Sequence, residues 1–177
     1  MAFYNGKAII TKVVYTGNTG GGDLDGLIDG SISGEITSNV TNVKNYAFAY
    51  CDNLTRVDLP NATNIGYGAF NDCDGLEEIL VPKAETIQMY AFNNLNLGFD
   101  LILPNVKSIQ SYAFLGCRSR SGNMIFDFTG CKSIPTLAHT NAFDMISSYE
   151  IHVPSALYNN WVAATNWSSI ADHIVSV

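Results

Sequence analysis

Apolar residues in this chain return in short alternating runs, each closed in the same way. The runs are LTRVDLP (Leu54 to Pro60), LEEILVP (Leu76 to Pro82), DLILP (Asp100 to Pro104), IFDF (Ile125 to Phe128) and EIHVP (Glu150 to Pro154). Apolar side chains stand one and three places before the closing position: Leu59 and Val57, Val81 and Ile79, Leu103 and Leu101, Phe128 and Phe126, Val153 and Ile151. A period of two, rich in β-branched and aromatic residues, predicts a short strand with one face buried. Proline has no N–H to give a ladder, so it ends the strand at a turn. Thr129 takes that place in the fourth run.

A second pattern follows each run. A small apolar residue comes two places after the proline (Ala62, Ala84, Val106) and an isoleucine five places after (Ile65, Ile87, Ile109). Then comes Ala-Phe, at Ala47-Phe48, Ala69-Phe70, Ala91-Phe92, Ala113-Phe114 and Ala142-Phe143. The segment is too short for a full helix and predicts a single helical turn. The Ala-Phe pairs recur at steps of 22, 22, 22 and 29 residues, and the closing positions at 22, 22, 25 and 25. Two independent markers holding nearly one step predict a solenoid of about five units.

The repetition has an energetic reason. Burying a Leu, Ile or Phe contributes roughly 1.5–3 kcal/mol, while ordering each residue costs about 1–2 kcal/mol. One unit cannot cover its own apolar side. Stacked units can, each placing its Phe on the Phe of the next.

The 177 residues are 47% hydrophobic and 14% charged, which describes a packed chain. The formal net charge of -7 argues against nucleic acid, whose phosphates are met by clustered Lys and Arg. Arg118 and Arg120, in CRSRSGN, come nearest to a basic patch and read as a solvated loop. Cationic or neutral partners are favoured. No run approaches the roughly 18 apolar residues of a membrane span, so no membrane insertion is expected. The opening MAFYNGKAIITKVVYTGNTGGG shows no basic leader followed by a continuous apolar region, which leaves the compartment open.

Cys51, Cys73 and Cys117 fall three residues after their Phe, a slot that holds Leu95 and Ile146 in other units. Cys131 shares the slot of Ala62, Ala84 and Val106. Such interchange marks small and medium buried apolar positions, and free Cys behaves as a small hydrophobe. Disulfides between rungs and metal ligation are the alternatives; against zinc, there is no C-x₂-C and no nearby His pair. Asp23, Asp25 and Asp29 in DLDGLIDG suggest a calcium loop, but Leu27 stands where Asp or Asn is needed and the bidentate Glu is missing, so a glycine-rich turn is preferred. His139, His152 and His173 are scattered, and no catalytic motif is present. No catalytic residue, metal or cofactor is expected.

The unit L-x-x-V/I-x-L-P-x-A-x-x-I-x-x-x-A-F-x-x-C resembles the BspA-like leucine-rich repeats of bacterial surface proteins over about Ile36 to Pro154. VPSALYNNWVAATNW is similar to the terminal segment these proteins carry. The resemblance implies an α/β leucine-rich repeat solenoid, right-handed and β-rich, with single-turn helices and a C-terminal helical cap. It implies adhesion or binding of a protein or glycan by the strand face, without catalysis, in a protein at the cell surface or secreted. Similar repeats in prophage and tail-associated proteins make a structural or receptor-recognition element of a phage-like assembly the alternative. Gly98 and Thr129 depart from the repeat, and CRSRSGN and PTLAHTN lengthen the fourth and fifth units. Those loops are expected to bulge from the stack.

The expected organisation is an N-terminal strand (KAIITKVVY) with a Gly-rich connection over 1–35, the solenoid over 36–154, and a capping segment over 155–177. Ser155 reads as a helix N-cap, with Leu157, Trp161 and Val162 at helical spacing over the last rung, continued by Trp167, Ile170 and Ile174. The tryptophans read as cap rather than as ligand platforms. In each strand the residues two and four before the closing position point away from the core. They are Asp58 and Arg56, Leu80 and Glu78, Ile102 and Asp100, Asp127 and Ile125, His152 and Glu150. Exposed Leu80, Ile102 and Ile125 among carboxylates mark this face as the candidate partner surface; the alternative is a solvated ladder with stray aliphatics.

Overall fold

The computed structural model describes residues 33–177 in full, and the backbone alone of 2–4, 7–9, 12–15 and 23–24. Each unit contributes strands to two separate parallel ladders. The first is split into two four-stranded sheets. One contains Lys12–Tyr15, Gly34–Ser38, Leu54–Asp58 and Glu78–Leu80; the other contains Leu101–Ile102, Met124–Asp127, Tyr149–Val153 and Ile174–Ser176. Equivalent residues stand side by side, Val13 with Ile36, Val57 and Ile79 in one sheet, Leu101 with Phe126, Ile151 and Ile174 in the other. Like stacks on like because every unit carries its apolar residues at the same offset.

The second ladder has six two-residue strands: Asp23–Leu24, Asn42–Val43, Asn64–Ile65, Thr86–Ile87, Ser108–Ile109 and Thr136–Leu137. The isoleucines five places after the prolines are therefore strand residues, which the alternation did not reveal. The N-terminal run forms two strands: Lys7–Ile9 pairs antiparallel with Ala2–Tyr4, and Lys12–Tyr15 joins the first ladder. Asp25 and Asp29 lie outside the described residues, and of Asp23 only the backbone is described.

Between the ladders runs a column of stacked rings. Phe48, Phe70, Phe92, Phe114 and Phe143 lie at successive centroid distances of 5.1, 5.7, 5.6 and 5.3 Å, with interplanar angles of 9°, 6°, 5° and 22°. The core is continuous through this column from Ile36 to Ile174.

The expected helical turn at Ala-Phe does not form in the first four units. Residues two before and two after the column Phe adopt left-handed backbone: Tyr46 and Tyr50, Gly68 and Asp72, Tyr90 and Asn94, Tyr112 and Gly116. That conformation interrupts a helix. Alternate amides then turn to the neighbouring rung, as in Tyr46 N–H to Tyr67 O, Phe48 N–H to Ala69 O and Tyr50 N–H to Asn71 O, each 2.8 Å. The intervening ones bond locally, Ala47 to Lys44 O and Ala49 to Tyr46 O. Bonds between coils replace bonds within a helix because the stack supplies a partner at the right height. The fifth unit alone forms a 3₁₀ turn here, Thr140–Phe143.

All four cysteines are buried and none is in a disulfide. Cys73 Sγ donates to Phe48 O and Cys117 Sγ to Phe92 O, both at 2.8 Å, tying each thiol to the rung before it. Burial pushes both thiols up to about 12 and Cys131 up to about 11, from 9.0. Below pH 9 these groups are protonated whether the chain is folded or not. Above it the unfolded chain releases the protons first, so stability should fall between pH 9 and about 12, as chemical denaturation across that range will report. Replacing Cys73 and Cys117 by Ala should flatten the dependence.

At the C-terminal end, Trp161 and Trp167 are fully buried and pack on Phe128, each at a centroid distance of 6.0 Å. Helical structure is short here: 3₁₀ turns at Ser155–Leu157 and Trp167–His173 flank one α-turn, Tyr158–Val162. Ser155 is not the N-cap. Pro154 occupies that position, and the Ser155 hydroxyl donates to Val177 O at 2.7 Å, fastening the last strand instead. Ile174 belongs to that strand and extends the ladder. The expected bulges are also partly absorbed: Arg118–Ser119 pairs parallel with Asn96–Leu97, and Thr136–Leu137 is a rung of the second ladder.

Candidate functional site

The ten strand residues singled out from the sequence all lie outside the core. Arg56, Asp58, Glu78, Leu80, Asp127, Glu150 and His152 are half-buried, while Asp100 and Ile102 are exposed. Ile125 and Leu80 were expected to be exposed and are half-buried, with Glu150 in register beside Ile125 and Asp58 beside Leu80. Ile102 alone of the three aliphatics is open, at 51%. The ladder break falls between Leu80 and Ile102, so Arg56, Asp58, Glu78 and Leu80 share one sheet, Ile102, Ile125, Asp127, Glu150 and His152 share the second, and Asp100 stands just before the strand Leu101–Ile102.

Much of the charge on this face is paired. Arg56 Nε bonds Glu78, and Arg56 Nη1 lies 4.0 Å from Asp58 Oδ2. The Glu78 bond holds the guanidinium above its ordinary pKa. His152 Nε2 lies 2.8 Å from Glu150 Oε2, and Asp127 Oδ1 accepts from Thr129 N–H at 2.8 Å. Beside the break stands Phe99, 63% exposed and three residues before Ile102, which the strand pattern did not bring forward.

A second feature lies on the turns. Tyr46, Tyr67, Tyr90 and Tyr112 form an outer aromatic column, at centroid steps of 5.2, 5.7 and 5.2 Å. Below it, Asn93 Nδ2 donates to Asn71 Oδ1 at 2.6 Å, Asn71 Nδ2 to Asp72 Oδ2 at 2.8 Å, and Asn94 Nδ2 to Asp72 Oδ1 at 2.8 Å. An open groove of about 260 Å³ lies between rings and amides. Tyr46, Tyr90 and Tyr112 sit inside the same letters as the Ala-Phe repeat and adopt the left-handed backbone of the turn, while Tyr67 precedes the left-handed Gly68.

Among the described residues, no cluster of three or more His, Cys, Asp or Glu could hold a metal ion. The raised thiols of Cys73 and Cys117 are closed to thiolate chemistry at neutral pH. What the surfaces offer is a rigid array of side chains at regular spacing, suited to contact with an extended partner. No helix among the described residues is long and apolar enough to cross a membrane.

Comparison with known proteins agrees with the repeat geometry. A search of curated proteins returned no match. The model of the BspA type leucine rich repeat region matches residues 31–121 in six copies, more than half of the chain. The match ends where the regular 22-residue step gives way to the lengthened units. With stacked Phe, strand-ending Pro and buried Cys recurring at one period, the chain belongs to the BspA-type leucine-rich repeat family.

Proposed function

We propose that this chain is a non-enzymatic binding module of the adhesion type, engaging a protein or glycan partner through the strand face of a right-handed solenoid. The family's typical setting supports a place at the cell surface or in a secreted protein. The units over 36–154 form the binding body, and residues 155–177 cap it. The observation that carries the reading is the outward column itself: carboxylates in register with aliphatic groups, a mixture that a purely solvated ladder does not need.

The centre of the surface is the stretch around Asp100 and Ile102, where a carboxylate with no ion pair among the described residues adjoins the most exposed aliphatic group on the face. An acidic surface with apolar spots favours a partner of basic and apolar character. The test is an array of extracellular proteins and glycans probed with the native chain and with the double variant Asp100→Lys, Ile102→Asp. Binding should weaken at least tenfold, which corresponds to about 1.4 kcal/mol. Equal binding by a correctly folded variant rejects this face.

A further inference from the structure

We propose that the turn face carries a second, separate site, one that takes the guanidinium group of a partner protein's arginine between the Tyr50 ring and the Asp72 carboxylate. Two residues past the column Phe the chain repeats one slot, filled by Tyr50, Asp72, Asn94 and Gly116 in successive coils. All four have left-handed backbone, with φ of 60°, 53°, 56° and 67° respectively, so the slots are equivalent. The coils bearing Tyr50 and Asp72 are adjacent. Tyr50 N–H bonds Asn71 O at 2.8 Å, and the column rings of the two coils, Phe48 and Phe70, lie 5.1 Å apart. Tyr50 is 59% exposed and pairs with no other ring among the described residues, so stacking does not use up its faces. Tyr50 and Asp72 line the same open groove of about 260 Å³, with Tyr46, 43% exposed, as another of its walls.

The lining is one-sided in charge. Four tyrosines and one carboxylate line the groove, and no Lys, Arg or His does. An aromatic face attracts a cation held within about 6 Å of its centroid, a reach comparable to the step between coils. Among the described residues Asp72 has no cationic partner. Its oxygens accept from Asn71 Nδ2 and Asn94 Nδ2, each at 2.8 Å, which fixes the carboxylate in place. A carboxylate offers about four acceptor sites, so these two bonds leave room for more. A guanidinium serves both walls at once: its flat face stacks on a ring while its N–H edge donates to the carboxylate. The lysine ammonium is a compact, strongly hydrated charge with no flat face to stack. A quaternary ammonium would suit the rings but has no N–H for Asp72. The net charge of -7 draws a basic partner toward the molecule as a whole.

The site is independent of the strand face, and its test tells the two apart. Nuclear magnetic resonance titration of the isotope-labelled native chain with the end-blocked tripeptide Gly-Arg-Gly is the measurement. Millimolar or tighter binding should move the side-chain amide signals of Asn71 and Asn94 and the backbone signals of Tyr50 and Asp72, and should weaken as salt is added. The same peptide with citrulline, the uncharged isostere of arginine, should bind about tenfold more weakly or not at all. Tyr50→Asn and Asp72→Asn should each weaken binding about threefold or more. Both substitutions put into the slot the residue that Asn94 already supplies to it, so the left-handed turn is kept. Asp74→Asn removes an exposed carboxylate outside the groove and should bind as the native chain does. Signals that move only on the strand face, equal binding of the arginine and citrulline peptides, or undiminished binding by the folded variants overturns the proposal. So does binding of Gly-Lys-Gly or tetramethylammonium as tight as that of the arginine peptide.

Discussion

Phe92→Ala should destabilise the chain by about 3–5 kcal/mol, the cost of an aromatic-sized cavity that its surroundings cannot collapse to fill. Phe92 is fully buried and lies between Phe70 and Phe114 at 5.7 and 5.6 Å. Its own N–H is bonded to Ala113 O and its carbonyl accepts the Cys117 thiol, so the backbone around the cavity is held in place. A solenoid holds together through nearest-neighbour interfaces. The substitution injures both interfaces of one rung, and the chain behaves as two short stacks joined by a weak link. Urea denaturation is the measurement, with Lys132→Ala, an exposed position, as the control expected to stay within about 0.5 kcal/mol of native. A loss below about 1 kcal/mol would mean that the column fills space without coupling the rungs.

Trp167→Ala should be nearly as damaging, again about 3–5 kcal/mol, although the residue lies beyond the last regular unit. Its ring touches Phe128, Phe143 and Trp161, and its Nε1 donates to Pro135 O at 2.8 Å, reaching back 32 residues. Its neighbour Asn166 bonds Leu137 O and Ala138 O at 2.7 and 3.1 Å, so the two residues together clasp the lengthened fifth unit. Trp167→Phe separates the two contributions. It keeps most of the apolar contact but orphans the Pro135 carbonyl, and should cost about 1–3 kcal/mol. Equal melting temperatures for the native chain and Trp167→Ala would show that the terminal segment is dispensable to the stack.

Much of this architecture was legible in the sequence because it is built from offsets. Phe48, Phe70, Phe92 and Phe114 stand one period apart, and residues one period apart in a solenoid must touch. The interchange of Cys with Leu at one slot likewise announced burial. The second ladder was hidden because its strands hold two residues, one polar and one apolar, as in Asn64–Ile65, too few to display alternation. The turn was misread for a deeper reason. Tyr46 and Tyr90 are L-residues in left-handed backbone, which local propensity disfavours, and only the amides of the next coil make it worthwhile. Ser155 was misread in the same way: a capping residue by local pattern, it was drawn off by the carbonyl of Val177, 22 residues away. On the strand face, direction followed from parity, but parity does not set the degree of exposure, and Leu80 and Ile125 are half-buried where Ile102 is open.

The stacking of identical slots also governs how such a gene can change. Removing or duplicating one whole period rejoins Phe to Phe and proline to proline, so every new junction resembles an old one. Losing half a period would set a turn tyrosine against a strand valine and leave both ladders without partners. Variation in this lineage is therefore channelled toward copy number, with the reach of the molecule adjusted a rung at a time while each rung keeps its chemistry.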